Sequence, residues 1–120
     1  MWKYTRGIPY VSSPLLDQGI LWLVKDGGIV TKLDAAGGQL LQEQRLLGHG
    51  GYYASPVAGD GKVYFASEQG VVSVVANQKE WKTISSRDFH EKIYATPCLA
   101  GNRLFLRTDR ALYCFQWGAP

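Results

Sequence analysis

Much of what specialises a protein is missing from this sequence. Cysteine occurs twice, at Cys98 and Cys114, too few for a disulfide scaffold. No apolar run approaches the ~20 residues of a spanning helix, which argues against an integral membrane protein. The N-terminal Met1-Trp2-Lys3-Tyr4-Thr5-Arg6 lacks the apolar core of a secretory leader. Charge of one sign is not in excess. Thirteen Lys and Arg against ten Asp and Glu give +3, and the basic residues are scattered rather than gathered as a nucleic-acid partner would require. No Gly-x-Ser-x-Gly elbow, phosphate-binding glycine loop or paired-carboxylate spacing is found. Two histidines, His49 and His90, without a Cys or carboxylate at ligand spacing do not make a zinc site. The expectation is therefore no catalytic residue, no metal and no cofactor. No stretch keeps an apolar helical period for three turns, so helices are not expected either.

What is present is enough apolar material for a core, 46% of 120 residues, broken by 14 glycines. It is arranged in repeats. Ser13-Pro14, Ser55-Pro56 and Thr96-Pro97 recur 42 and then 41 residues apart. After each come an apolar B segment (Leu21–Val24, Val63–Ala66, Leu104–Arg107), an acidic residue (Asp26, Glu68, Asp109) and a second run. In the third unit that run is Ala111-Leu112-Tyr113-Cys114, aligned with Gly70-Val71-Val72-Ser73. The runs are short and rich in β-branched and aromatic residues, and Asp17-Gln18-Gly19, Asp60-Gly61 and Glu68-Gln69-Gly70 read as hairpin turns.

Four antiparallel strands in each ~40-residue repeat is the pattern of a β-propeller blade. The fold class is all-β, with about three four-stranded blades that form part of a larger ring. With strands named A to D outward from the axis, the blades are expected at 9–47, 52–89 and 93–117. The A strands fall around 11–16, 53–58 and 94–99. The third unit has no D strand of its own, and residues 2–6 look like a D strand placed ahead of the first blade, available to complete the third. Trp22, Tyr64 and Phe105 share one B-strand position, which implies packing between blades. Cys98 and Cys114 fall on strands A and C of one blade, near 10 Å apart and beyond disulfide reach, and are expected to be small core residues.

The chain resembles the quinoprotein-type, or PQQ-like, propeller repeats. The resemblance rests on Ser-Pro-x-x-x-x-Gly in strand A and its turn, on Lys62-Val63-Tyr64-Phe65, on Asp26-Gly27, and on Leu33-Asp34-Ala35-Ala36-Gly37-Gly38-Gln39 between C and D. The family includes quinone-dependent alcohol dehydrogenases and non-enzymatic BamB-like assembly lipoproteins. It implies a propeller scaffold and a periplasmic or extracellular parent protein. The family's docking tryptophan is replaced by Gln42, although Trp81 supplies an aromatic near the second D strand. The adjacent cysteine pair of some of the dehydrogenases is absent, as is a Glu, Asn and Asp set assignable to calcium and quinone.

In propellers the D–A and B–C loops share one face. Here they carry Lys25, Asp26, His49, Tyr52, Glu68, Gln69, His90, Lys92, Arg107, Asp109 and Arg110, a mixed-charge rim suited to protein or polar-ligand recognition. Ser13, Ser55 and Thr96 are expected to use their hydroxyls on backbone near the A strands rather than as nucleophiles. The functional expectation is a non-catalytic interaction scaffold whose partner is another protein or another copy of itself completing the propeller. The alternatives are the C-terminal part of a PQQ-dependent dehydrogenase and a polar-carbohydrate-binding module.

Overall fold

The computed structural model describes residues 1–116; Trp117, the expected end of the third blade, lies outside the described residues. Among the described residues, eleven strands run in chain order. β1 (Leu15–Asp17), β2 (Ile20–Lys25), β3 (Ile29–Asp34) and β4 (Leu40–Arg45) form one antiparallel sheet in sequential order. β5 (Val57–Gly59), β6 (Lys62–Ala66), β7 (Val71–Ala76) and β8 (Thr83–Asp88) form a second. β9 (Cys98–Ala100), β10 (Arg103–Arg107) and β11 (Leu112–Gln116) form a three-stranded third. These are successive propeller blades, as the repeat predicts.

The A–B hairpins of the first two blades close through paired left-handed residues, Gln18–Gly19 and Asp60–Gly61, with φ of 52° and 75° and of 52° and 69°. That pairing is the two-residue turn whose twist matches a hairpin. The inner strands are shorter than expected, three residues each, because they begin only after Pro14, Pro56 and Pro97. A proline has no N–H for the ladder. The residues just before it spend their amides sideways instead. The Ser13 amide donates to Ser55 Oγ at 2.8 Å, and the Ser55 amide to Thr96 Oγ1 at 2.9 Å, which links three blades around the inner edge.

Each blade has two faces, and the cross-strand register sorts the side chains between them. Front rows, looking towards the next blade in sequence, are Leu15–Trp22–Lys32–Gln42, Val57–Tyr64–Val74–Ser85 and Cys98–Phe105–Cys114. Trp22, Val24 and Val30 of the first front pack on Val63, Phe65 and Val75 of the second back, with the Trp22 and Phe65 ring centroids 6.2 Å apart. Ala66 and Val72 of the second front pack with Leu106, Ile93, Phe89, Tyr113 and Phe115 at the third blade. Trp22 and Tyr64 are buried, so the repeated B-strand position does serve inter-blade packing.

Three features differ from expectation. First, the B–C turn of the third blade is one residue shorter. The Thr108 amide donates to Ala111 O as the Ser67 amide does to Val71 O, so Leu112 corresponds to Val72 and Cys114 to Val74. Second, Cys98 and Cys114 are not core residues. Both are free and exposed, because they stand on the front of the third blade and no described residue covers it. Third, residues 2–6 form no strand. A strand needs a neighbouring ladder, and this segment instead crosses the back of its own first blade. Trp2 Nε1 donates to Ala35 O at 3.0 Å, and the indole lies so close to Gly38 (φ 77°) that a Cβ there would meet it at 2.4 Å. Trp2 thus occupies the C–D turn for which Gln42 has no indole to offer. Gly7 lies against Thr31, Lys25 and Glu43 of the same face.

A buried lysine is among the polar side chains that join the first two blades. Lys32 is 1% exposed, and its ammonium donates to Gln78 O at 2.7 Å and Lys79 O at 2.9 Å, and sits 4.6 Å from the Trp22 ring centre. Burial lowers its pKa, and Glu80 opposes the shift. Charge-assisted bonds to carbonyls across a blade interface contribute more than neutral ones. Replacing Lys32 with Met keeps the stem and deletes the donors, so urea denaturation should show a loss of about 1.5–3 kcal/mol. A change within about 0.5 kcal/mol would contradict the role assigned to this ammonium.

Candidate functional site

The rim loops are not loose. Each D–A linker is gripped by the B–C turns on either side of it. Between the first two blades, the Gly27 amide donates to Gly50 O, the Glu68 amide to Gly51 O, and the Tyr52 amide to Asp26 Oδ1 at 2.9 Å. Between the second and third, the Ile93 amide donates to Glu68 O, the Asp109 amide to Lys92 O, and the Lys92 amide to Asp109 Oδ1 at 3.0 Å. Gly70 (φ 105°) makes this grip possible, since a Cβ there would lie 2.3 Å from Glu91 O.

On the second linker the rim opens into a cleft of about 420 Å3 lined by Gln69, Asp88, His90, Glu91, Lys92, Asp109 and Arg110. His90 adopts a left-handed φ of 55°, uncommon for a residue with a side chain. The Asp88 carboxylate holds it there. Oδ1 accepts the His90 amide at 2.8 Å, and Oδ2 lies 3.5 Å from Nδ1. Glu91 is fixed from beneath. Its carboxylate accepts from Thr108 Oγ1 at 2.6 Å and from the Tyr113 hydroxyl at 2.9 and 3.0 Å. Thr108 Oγ1 in turn accepts the Arg110 and Ala111 amides. The Thr108 bond, followed by those from Tyr113 and by the charge of Arg110, holds the Glu91 carboxyl below the usual glutamate range against the opposing cost of desolvation. The Glu91 bond pushes the Tyr113 phenol up, with desolvation adding to the shift.

Of the rim residues expected from sequence, Gln69, His90, Lys92, Asp109 and Arg110 converge here. Lys25 lies on the back of the first blade, against Gly7, whereas Asp26 and His49 stand at the first junction, where Asp26 is used as a backbone bracket. Tyr52 is not a rim group. It is 1% exposed in the core, donates its hydroxyl to Gly48 O at 2.8 Å, and has its pKa raised by burial. Glu68 spends its backbone on both neighbouring linkers, and Arg107 ends β10 on the front of the third blade. Asp88 and Glu91 are the cleft residues missing from the rim set expected from sequence; the signal for Asp88 is Asp-x-His at the end of a D strand, a local carboxylate-to-amide turn.

No family model matches the chain, and no curated protein matches its sequence. Among solved structures it is similar to BamB from Moraxella catarrhalis, with a TM-score of 0.70, 17% identity, and coverage of 86% of this chain and 32% of that one. It is also similar to the quinohemoprotein alcohol dehydrogenase ADHIIG from Pseudomonas putida HK5, with a TM-score of 0.65, 16% identity, and coverage of 88% and 17%. The fold is a PQQ-like propeller. The chain spans about a third of the BamB structure and about a sixth of the dehydrogenase. Among the described residues no three His, Cys, Asp or Glu side chains gather as metal ligands, and Asp26, Asp88, Glu91 and Asp109 already accept protein donors.

The lowered Glu91 pKa fixes a sign. Its charged form stabilises the third blade above the ordinary glutamate value of about 4.3, and that stabilisation is lost as pH falls through the lower folded value. Glu91→Gln should therefore lower stability at neutral pH and flatten its decline in acid, followed by thermal unfolding across a pH series. An unchanged acid slope would show that the carboxylate is not so held.

Proposed function

We propose that this chain is a non-catalytic PQQ-like propeller segment that acts as a protein-interaction scaffold, and that the cleft between its second and third blades receives a polar, extended segment of a partner protein. One observation carries this reading. Lys92, His90 and Arg110 face the same cleft as Asp88, Glu91 and Asp109, on loops held by backbone brackets. A rigid rim bearing both signs recognises a partner by charge register, and its acids are occupied as structural acceptors rather than poised for proton transfer. The likeness to BamB supports a propeller segment without fixing the partner. The same reading puts the parent protein in the periplasm or outside the cell. No helix among the described residues is long and apolar enough to cross a membrane.

The test is fluorescence polarisation against a library of short charged peptides. Binding should weaken with salt and fall about tenfold or more, equivalent to ~1.4 kcal/mol, in Lys92→Glu with Arg110→Glu. His49→Ala, at the other junction, should leave it unchanged. Dye-linked alcohol oxidation by the parent protein with quinone and calcium would overturn the reading in favour of a dehydrogenase tail, a possibility supported by the likeness to ADHIIG. Selective retention on a glycan array with no peptide binding would favour a carbohydrate module.

A further inference from the structure

Both walls of the cleft between the second and third blades lie within this chain, and the repeat separates what the fold requires there from what it does not. Lys92 corresponds to Gly51. The Asp109 amide donates to Lys92 O as the Glu68 amide does to Gly51 O, and the buried linker residues Ile93 and Tyr52 follow. A bracket that a glycine serves equally well makes no use of the Lys92 side chain. Arg110 is similar, since the turn uses its amide, which donates to Thr108 Oγ1. Lys92 and Arg110 are both exposed, and neither side chain makes an ion-pair contact or a hydrogen bond among the described residues. Glu91 and Arg110 act on one another only through space.

The other groups of the cleft are engaged. The amides of Phe89, His90, Lys92 and Ile93 donate to Gly70 O, Asp88 Oδ1, Asp109 Oδ1 and Glu68 O, so the linker has little main chain to offer a guest. Asp88, Glu91 and Asp109 each accept from an amide or a hydroxyl, whose dipoles stabilise the carboxylate charge in place. The linker side chains also divide between core and solvent. Phe89 and Ile93 join the core and Glu91 turns down to Thr108 and Tyr113, while His90 and Lys92 are exposed beside Arg110 of the third blade's turn.

The geometry points to an acidic segment of a partner protein as the occupant of this cleft, one carboxylate taken by Lys92 and another by the guanidinium of Arg110. This rests on the chain acting as an interaction scaffold and adds the sign of the guest's charge. Arg110 presents paired N–H groups that match a carboxylate, whereas Lys92 is a compact point charge. In an extended guest, side chains two residues apart face the same way, so alternating acids can turn together towards the two cations.

The test is fluorescence polarisation with the 120-residue chain and labelled peptides that alternate glutamate with serine, lysine with serine, or lysine with glutamate. The glutamate–serine peptide should bind best and weaken as salt is raised. Lys92→Gln and Arg110→Gln should each weaken it by about two- to fivefold, with an unchanged circular dichroism spectrum because neither side chain serves the fold. Equal or tighter binding of either lysine-containing peptide would overturn the acidic guest and leave the scaffold standing. Binding of the glutamate–serine peptide that ignores both variants would overturn the assignment to this cleft. Silence from all three peptides would overturn the acidic guest and the scaffold together.

Discussion

The structure depends on blades hiding their faces in one another. A single blade cannot bury its own apolar faces, and neither the ladders nor the turns hide enough apolar surface alone. Trp22, Val24 and Val30 become a core only because Val63, Phe65 and Val75 arrive from the next repeat. Stability in such an array is a sum of unit and nearest-neighbour contributions. That explains why the polar devices of the chain sit between blades: Lys32 on the carbonyls of Gln78 and Lys79, and Ser55 and Thr96 on the amides of Ser13 and Ser55. Each fixes the angle and spacing of a junction that apolar packing alone would leave free to slide.

The same constraint organises the rim. A linker that must cross from one blade to the next leaves backbone groups to satisfy, and the B–C turns on both sides satisfy them. Asp26 and Asp109 are drawn into that task, which is why acidic residues recur there without forming a catalytic or metal site. The cleft at the second junction exists because Asp88, His90 and Glu91 take the linker out through a left-handed residue, while the shortened turn at Asp109-Arg110 leaves room above it.

The architecture was legible in the sequence because packing between blades repeats at a fixed period. Ser-Pro or Thr-Pro, the B-strand aromatic and the acidic turn residue mark the same position in every unit, and each of the eleven described strands overlaps an expected run closely or begins just after a proline. Missing from that pattern was anything decided by which blade lies next door. Cys98 and Cys114 occupy core positions of the repeat, yet they are exposed because no described residue covers the third front. Tyr52 looked like a loop residue, but it is buried where the linker dips between sheets. Trp2 matched a D strand in composition and instead docks on Gly38, since a glycine in a tight turn accepts a flat indole on its backbone. Lys32 gave no signal, because a lysine in a strand ordinarily reads as solvent-facing. The cleft was half legible: its cations and Asp109 could be placed on the rim by loop assignment, whereas the convergence of Asp88 with them depends on the bend at His90.

The central claim is that contact between neighbouring blades, rather than each sheet alone, holds the chain folded. A double-mutant cycle across the first junction tests it most directly, with Trp22→Leu, Phe65→Leu and the pair compared by urea denaturation. The account predicts a coupling of about 0.5–1.5 kcal/mol between the two rings, beyond the cost of each substitution alone. Losses that add to within about 0.3 kcal/mol would contradict it, since residues that do not share a packed interface behave independently.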